Sequence, residues 1–350
     1  MKPRTFPFSR LWPDVGIDLG TTHTRICVPG EGVVVDEPTL VAVEQGSRRV
    51  LNRGRSVGHL ARIMLGRTPD SIATICPVRS GVVADHQICE AMLRAFLRKA
   101  RPRSWSIRPR ALVAIPSGIT PVERQAALGT TVRAGARPAF LIRKSLAAAL
   151  GLGLPLAEPT ASMICDLGGG TTEIGVLCLG EVAIGESLRV AGDDLDRAIV
   201  DYLRRQHRLR AGQQMAERIK IEVGAAGPLE CELSLEVGGR DLVTGLPRKM
   251  TLTSEQVREA MQTPLRMIVE AVERVLEACQ SQLVADLMEN GLVLVGGGAR
   301  LRGIDGLLAG TTGMPVRVAE EPLGSVARGL AICLEHLDIW HGLIQDRRAA

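Results

Sequence analysis

Residues 15–28 read Val-Gly-Ile-Asp-Leu-Gly-Thr-Thr-His-Thr-Arg-Ile-Cys-Val, and residues 163–178 read Met-Ile-Cys-Asp-Leu-Gly-Gly-Gly-Thr-Thr-Glu-Ile-Gly-Val-Leu-Cys. Each segment predicts a buried strand, a tight turn at glycine and a second strand. The two segments lie about 150 residues apart, and a repeat at that spacing is the size of a domain. The sequence therefore predicts a chain built from two similar halves.

Between and after these segments, predicted strands alternate with predicted helices. Apolar spacing predicts helices over 84–100, 120–135, 193–211 and 213–225, and short buried strands over 111–115 and 292–295. Alternating apolar and polar residues over 229–246 predict a β-hairpin around Gly238 and Gly239. Thr253 and Gln256 form a capping-box pattern, which predicts a long helix ending at about Glu289. Together these elements indicate an α/β fold.

The composition restricts the class of protein. The chain has 350 residues, with 45% hydrophobic and 23% charged, as in ordinary soluble globular proteins. We expect no membrane span and no cleavable signal, because no apolar run is long enough for the first and no cleavage pattern supports the second. The eight cysteines are scattered singly, which excludes a disulfide scaffold and a zinc ribbon and indicates reduced thiols in a cytoplasm. With aromatics at 2%, a stacking platform for nucleic acid is not expected.

Three glycine-rich turns that follow apolar strands are the candidate binding elements: Gly20-Thr21-Thr22, Gly168-Gly169-Gly170 and Gly296-Gly297-Gly298. Glycine lets backbone N–H groups approach phosphate closely, and threonine hydroxyls add donors. Asp18 and Asp166 precede the first two turns, where each can hold a hydrated Mg²⁺. Any one turn can merely close a hairpin, but three favour a phosphate site. The pattern is neither a Rossmann fingerprint nor a P-loop.

These segments resemble the actin-like ATPase superfamily, and within it the MreB family of bacterial actin homologues. The resemblance runs from about Val15 to His341, and its most specific segments are Gly66-Arg67-Thr68-Pro69 and Glu217-Arg218-Ile219-Lys220. It also includes 16–21, 36–38, 81–85, 166–173, 296–299, 321–323 and 326–329. The resemblance implies an actin-like (ribonuclease H-like, duplicated) fold with two domains around a nucleotide cleft. It further implies ATP and Mg²⁺ as cofactors, and filaments that organise cell shape and cell-wall synthesis.

The resemblance also assigns site residues, position by position. It implies a first phosphate loop at Gly20, Thr21, Thr22 and His23, with His where the family usually has Asn, and a second at Gly168, Gly169, Gly170 and Thr171. It implies a helix edging the nucleoside at Glu217, Arg218, Ile219 and Lys220, and an adenosine loop at Gly296, Gly297, Gly298 and Ala299. From the sequence alone, Glu217 and Lys220 also fit an ordinary pair on a helix surface.

The expected domain organisation follows from the repeat and the resemblance. Residues 1–14 are expected to form an N-terminal arm. Residues 15–145 with 316–350 are expected to form one domain, and residues 146–315 the other, with a small subdomain at about 186–252. No linker rich in Pro, Gly or Ser separates the halves.

One position departs from the family. The family has Glu-Glu-Pro before its Ala-Ala-Ala helix, and the second Glu positions the attacking water. This chain has Arg143-Lys144-Ser145 there. A protonated lysine cannot accept a proton or orient water as a carboxylate does, so Lys144 in the catalytic position predicts impaired hydrolysis with nucleotide binding retained. In the alternative, another carboxylate such as Glu173 takes over the role.

The N-terminal arm combines Phe6, Phe8 and Trp12 with basic residues. Aromatic rings beside cations suit an anionic lipid surface, and the prolines of the arm favour an extended segment over a helix. The alternative is an arm folded onto its own domain. We therefore expect a cytoplasmic protein at the inner face of the cell membrane. Its expected partners are copies of itself, an MreB paralogue and the cell-wall machinery, but not nucleic acid.

Two other functions share the phosphate loops. A soluble chaperone ATPase would need a substrate-binding module, and the chain ends within about a dozen residues of the last matched element. A sugar or acetate kinase would need a carboxylate for a small substrate, and the sequence offers no such pocket signal. The filament protein is the favoured hypothesis.

Overall fold

The computed structural model describes residues 14–47, 49–100 and 108–344. The predicted arm, with Phe6, Phe8 and Trp12, lies outside the described residues except for Asp14. In chain order the strands are β1 (Asp14–Leu19), β2 (His23–Val28), β3 (Gly32–Pro38), β4 (Val41–Glu44), β5 (Ile72–Ile75), β6 (Val78–Arg79), β7 (Val82–Val83), β8 (Arg110–Ile115), β9 (Ala139–Arg143), β10 (Ser162–Leu167), β11 (Thr172–Cys178), β12 (Glu181–Leu188), β13 (Leu209–Arg210), β14 (Ser234–Asp241), β15 (Pro247–Thr253), β16 (Leu292–Val295) and β17 (Val316–Val318).

The helices are α1 (Leu51–Gly54), α2 (His59–Met64), α3 (His86–Ala100), α4 (Pro121–Ala134), α5 (Lys144–Leu152), α6 (Gly192–His207), α7 (Gln213–Val223), α8 (Ser254–Glu277), α9 (Ser281–Asn290), α10 (Ile304–Thr312), α11 (Ser325–Glu335) and α12 (Leu337–Trp340). Two 3₁₀ helices span Gly297–Arg300 and His341–Leu343. Among the residues that the structure describes, no helix is both long and apolar enough to cross a membrane.

The chain divides into two compact units. Unit 1 comprises Met1–Leu154 and Gly324–Ala350, and unit 2 comprises Pro155–Leu323. These boundaries differ by several residues from the expected ones, 145/146 and 315/316. The helix α5 belongs to unit 1 because it packs against α11, and β17 belongs to unit 2 because it pairs with β16.

The packing of α5 against α11 is close enough to require glycine. A Cβ added to Gly329 would collide with the carbonyl oxygen of Ala147, and one added to Gly151 would collide with that of Ser325. No larger side chain fits at either position without moving backbone. The helix α11 also contacts strands β1, β2, β3 and β8, so a segment near the end of the chain covers the unit 1 sheet.

Each unit contains a five-stranded mixed sheet, and the two sheets have the same plan. In unit 1 the strand order is β3-β2-β1-β8-β9, and in unit 2 it is β12-β11-β10-β16-β17. In both, the central strand pairs antiparallel with the next strand in the chain and parallel with the strand on its other side. Each unit buries its own apolar core. The predicted duplication and the α/β class are confirmed.

Several local predictions are confirmed. The strands around both Asp-Leu-Gly turns form as predicted, and α4 begins at a capping box made by Thr120 and Glu123. The box predicted at Thr253 and Gln256 likewise opens α8. In each box the threonine hydroxyl accepts a bond from an unpaired N–H of the first helical turn.

Three boundaries were wrong. The hairpin of β14 and β15 turns at 242–246, whereas Gly238 and Gly239 lie inside β14 and pair with β15. The helix predicted over 193–211 ends at His207, because Arg208 has a left-handed φ of 50° and the chain continues into β13. The helix predicted to end near Glu289 is interrupted after Glu277, and α9 begins at Ser281.

The short strand β13 joins β14 and β15 in a three-stranded sheet within the region expected to form the small subdomain.

Candidate functional site

The first glycine turn joins β1 to β2 and is held by hydrogen bonds. The N–H of Gly20 donates to the carbonyl of His23 over 3.1 Å, which closes the turn. The hydroxyl of Thr39 donates to the carbonyl of Gly20 over 2.8 Å, and the N–H of Gly81 donates to the hydroxyl of Thr21 over 2.9 Å. The turn is therefore held by two segments, one directly after β3 and one between β6 and β7.

Thr22 carries the polar atom of this turn that lacks a partner. Its Oγ1 is buried and has no hydrogen-bond partner among the described residues. A buried polar atom without a partner costs free energy, so its presence indicates a ligand or water as the missing partner. The predicted contact residue Thr22 therefore has a geometry suited to a phosphate oxygen.

The second glycine turn joins β10 to β11 and repeats the first. The N–H of Gly168 donates to the carbonyl of Thr171 over 2.9 Å, the same three-residue spacing as in the first turn. The carbonyls of Gly168 and Gly169 accept from the N–H groups of Gly192 (3.1 Å) and Asp193 (2.7 Å). The turn thus lies against the N-terminal end of α6, where the helix dipole favours negative charge.

The predicted segment Glu217–Lys220 lies on α7. Lys220 Nζ donates to the carbonyl of Gly192 over 2.8 Å and lies 2.8 Å from Asp196 Oδ1. Lys220 therefore holds the start of α6, the same element that contacts the second turn. Ile219 is fully buried in the core, and Arg218 is exposed and paired with Glu222 over 2.7 Å. Ile219 therefore packs in the core, and Arg218 lies on the exposed face of α7.

Two acidic residues of α6 were not predicted. Asp196 is the partner of Lys220, and Asp193 lies beside it in the first turn of the helix. Burial, and then the neighbouring carboxylate of Asp196, raise the pKa of Asp193 to about 6. The sequence signal that was available is the acidic run 193–196 directly before the apolar spacing of the helix.

The third glycine turn begins where β16 ends. Gly296 has a φ of 82°, and a Cβ there would collide with Asp166 Oδ1 and the carbonyl of Leu167. The strands β10 and β16 are parallel neighbours with Asp166 opposite Val295, so the second and third turns lie at one edge of the same sheet. Ligands of α/β sheets bind outside the carboxyl ends of such strands. Ala299, predicted in the adenosine loop, is buried.

Lys144 forms an ion pair with Asp18. Its Nζ lies 2.9 Å from Asp18 Oδ1, and both side chains are only 8% exposed. The parallel strands β1, β8 and β9 end at one edge of the sheet, so the residue after β9 lies close enough for its long side chain to contact the end of β1. The position that departs from the family is therefore in direct contact with a predicted metal carboxylate.

This ion pair bears on whether a divalent ion fits at Asp18. The ammonium of Lys144 offsets the charge of the carboxylate and would compete with Mg²⁺ there, while the assignment of Asp18 as a metal residue stays a prediction. At the matching place in unit 2, Asp166 lies directly opposite Glu173 in the antiparallel pair, and both are buried. Glu173 accepts a hydrogen bond from the hydroxyl of Ser187. Carboxylate oxygens on one face of a sheet fit a hydrated Mg²⁺.

No described set of three or more His, Cys, Asp and Glu side chains forms a metal cage. This is compatible with Mg²⁺, which keeps several waters and usually takes one or two protein carboxylates with phosphate oxygens. The fit at Asp166 therefore depends on a phosphate-bearing ligand as the further source of oxygens.

The sequence is similar to that of characterised proteins over nearly its whole length. The family model described as "MreB/Mbl protein" matches residues 12–341. The cell shape-determining protein MreB of Escherichia coli (strain K12) is 47% identical over 330 residues, which are 94% of this chain and 95% of that protein. The cell shape-determining protein Mbl of Bacillus subtilis (strain 168) is 39% identical over 325 residues, or 93% and 96% of the two chains.

Solved structures of similar fold carry nucleotide or are filaments. MreB5 of Spiroplasma citri bound to AMPPNP has a TM-score of 0.87 at 30% identity, covering 97% of this chain and 100% of that one. The same protein bound to ADP has a TM-score of 0.88. The MamK double helical filament has a TM-score of 0.77 at 21% identity, a likeness that concerns the fold alone. The actin-like fold expected from the sequence is thereby confirmed.

Proposed function

This chain belongs to the MreB/Mbl family, and we propose that it is an actin-like cytoskeletal protein that binds ATP and assembles with itself into filaments. The observation that carries the proposal is the pair of matched turns after β1 and β10, each closed by the same backbone hydrogen bond. A related protein of 30% identity binds AMPPNP and ADP. The family membership disfavours the chaperone and kinase alternatives.

The described residues suggest a role for each part of the site. The turn in unit 1 offers the hydroxyl of Thr22, and the turn in unit 2 offers glycine backbone beside the dipole of α6. Lys220 does not need to contact the nucleotide, because it holds the α6 residues against which the second turn lies. Asp166, with Glu173 opposite, is the place for Mg²⁺, which when bound would offset phosphate charge.

Hydrolysis should be slow in this protein. The family's water-positioning carboxylate is replaced by Lys144, which is paired with Asp18 and cannot take a proton. Glu173 is the alternative carboxylate, but its contact with Ser187 and its place opposite Asp166 suit a role beside the metal better than one as base. Filaments formed by such a protein would persist, as suits a static scaffold or a stabilising subunit in the polymer of a paralogue.

Thr22→Val tests nucleotide binding with little change in size. AMPPNP with Mg²⁺ should raise the melting temperature of the wild type, because a ligand that binds only the folded chain stabilises it by mass action. Losing a hydrogen bond to a charged phosphate should weaken binding by about ten- to hundred-fold, so the valine variant should need correspondingly more nucleotide. Thr311→Val, on α10, is the matched control.

Sedimentation with and without AMPPNP tests assembly in the same samples. Wild type and the Thr311→Val control should pellet with nucleotide, and the Thr22→Val variant should pellet only at higher nucleotide concentration. The proposal would be overturned if millimolar nucleotide neither raised the melting temperature of the wild type nor caused it to pellet.

The membrane part of the proposal concerns residues 1–13. Basic residues beside Phe6, Phe8 and Trp12 suit an anionic bilayer surface, at the inner face of which the filaments would act with the cell-wall machinery. Deleting residues 1–13 should reduce flotation with anionic liposomes, since aromatic and electrostatic contributions are lost together. Equal flotation of the intact and shortened chains would refute this role of the arm, and circular dichroism of both chains controls for folding.

A further inference from the structure

Unit 1 contains a cavity of about 960 Å³ that the glycine turns do not line. It is lined by residues of the segment 52–60 and by residues of the last turns of α3. A volume of this size matches small-molecule sites in general. Glu37, from the segment 36–38 that marked the family resemblance, is among its lining residues.

The cavity has an excess of positive charge. Arg53, Arg55 and Arg98 line it, and none of their guanidinium groups has an ion-pair or hydrogen-bond partner in the part of the chain that the structure describes. Three unpaired cations around one concave surface repel one another, and an anion placed among them would relieve that repulsion. Guanidinium is also the side chain best matched to phosphate oxygens.

The one carboxylate of the cavity does not oppose an anion. Glu37 is buried and paired with Lys99, and it accepts from the N–H of His59 over 2.8 Å. Burial alone would raise the pKa of Glu37, but the ammonium of Lys99 and the N–H of His59 hold it below its ordinary value. The carboxylate and Lys99 therefore cancel in charge, which leaves the three arginines in excess.

The segment that presents two of these arginines is held in an unusual backbone conformation. Asn52, Arg53 and Gly54 have successive left-handed φ values of 52°, 54° and 85°. The left-handed region is unfavourable in free energy for residues other than glycine, and such strain persists only where the surrounding structure imposes it. Here Asn52 Nδ2 donates to the hydroxyl of the buried Ser56 over 2.8 Å. This contact helps to hold the backbone that carries Arg53 and Arg55.

Apolar side chains also line the cavity, beside the polar Asn52 and His59. Val57 and Ala95 are half-buried there, Leu60 is 55% exposed, and the buried Phe96 lies behind them. A simple inorganic anion would leave this surface in contact with water. A ligand with a phosphate at one end and carbon atoms at the other would cover both surfaces.

We propose that this cavity binds a phosphate monoester that carries an apolar group. The phosphate lies among Arg53, Arg55 and Arg98, and the apolar group lies along Leu60 and Val57. Two sources share this chemistry, a phosphomonoester lipid in a bilayer and a soluble organic phosphate. The site uses none of the residues of the glycine turns, so the test of this proposal is independent of the test of nucleotide binding.

The test compares two triple variants of the full chain with equal loss of charge. One carries Arg53→Gln, Arg55→Gln and Arg98→Gln. The control carries Arg204→Gln, Arg205→Gln and Arg210→Gln, which are exposed arginines of unit 2. Flotation is measured with phosphatidylcholine vesicles containing phosphatidic acid, and with vesicles of equal surface charge containing phosphatidylserine. For soluble ligands, the melting temperature is measured with glycerol 3-phosphate and with hexyl phosphate.

If the ligand is a lipid, the partition coefficient of the cavity variant for phosphatidic acid vesicles should fall by about ten- to hundred-fold. The control variant should lose much less with these vesicles, and the cavity variant should lose much less with the phosphatidylserine vesicles. If the ligand is a soluble phosphate ester, hexyl phosphate should raise the melting temperature of the wild type and of the control variant but not that of the cavity variant. In either case Leu60→Ser should weaken binding of the hexyl ester more than that of glycerol 3-phosphate. Equal losses in both triple variants, or no response to any phosphate ester, would overturn the proposal.

Discussion

Lys144→Glu combined with Ser145→Pro should raise phosphate release per polymerised subunit by about 10²–10⁴-fold, the usual contribution of general-base assistance. In the wild type the ammonium of Lys144 lies against Asp18 and has no capacity to accept a proton from water. A carboxylate in its place restores that capacity. It also suits the first turn of α5 better than a cation does, because the N-terminal end of a helix carries partial positive charge.

The second substitution should be tolerated locally. Ser145 is the second residue of α5, where proline fits without breaking a helical hydrogen bond. Its hydroxyl is buried and without a hydrogen-bond partner among the described residues, so removing it leaves no partner unsatisfied. The two changes together reproduce the local pattern of the family.

Lys144→Gln with Ser145→Pro is the matched control, since it removes the positive charge without supplying a base. We expect no comparable gain from it. The gain in the carboxylate variant should also require Mg²⁺, because two carboxylates close together repel each other unless a cation lies between them. A wild-type rate equal to or above that of the carboxylate variant would show that hydrolysis does not depend on this position.

Lys144→Met alone should lower the free energy of unfolding of unit 1 by about 3–5 kcal/mol, because it leaves the buried carboxylate of Asp18 without its cation. Lys144→Met together with Asp18→Leu should recover most of that loss or exceed the wild type, since replacing a whole buried pair by apolar groups is often neutral or stabilising. The difference between the single and double variants isolates the coupling between the two side chains.

The chain offers a probe for this measurement. Trp340 lies in unit 1, and the sequence of unit 2, Pro155–Leu323, contains no tryptophan, so tryptophan fluorescence in urea without nucleotide does not follow unit 2. A protein of two units need not unfold in one step, so a signal confined to one of them is needed. Lys220→Met, which removes a lysine paired in unit 2, is the control and should leave the fluorescence transition unchanged. A loss below about 1 kcal/mol in Lys144→Met would contradict the assigned pair energy.

Local signals made much of the fold predictable. Both Asp-Leu-Gly turns, the helix predicted over 120–135 and the capping box at Thr253 depend on residues a few positions apart, and all of them formed as predicted. Boundaries set by unusual backbone did not follow from residue type. Arg208 ends α6 in a left-handed conformation that arginine rarely adopts. The hairpin turns at 242–246, but the sequence predicts the turn at Gly238 and Gly239, because glycine pairs are typical of turns. These two glycines lie in a strand.

The site was predictable only in part, because its decisive contacts join distant parts of the chain. Lys144 was recognised as a departure from the family, yet its contact with Asp18 follows from the parallel order of β1, β8 and β9. Similarly, Lys220 was expected beside a nucleoside, and its contact with Asp196 became visible only with α6 and α7 packed together. Residue type indicates which chemistry is available, and strand order determines which groups meet.

The covering of the unit 1 sheet by α11 has a consequence for synthesis. Unit 2 is continuous in the chain, whereas unit 1 is complete only when the stretch from Gly324 onward has left the ribosome. The intervening residues of unit 2 take roughly 10–30 s to translate at common elongation rates. Throughout that interval the sheet of unit 1 lacks α11, the helix that packs against β1 and α5. The nascent first half therefore presents an uncovered apolar face to chaperones, and to neighbouring nascent chains, for longer than the second half does.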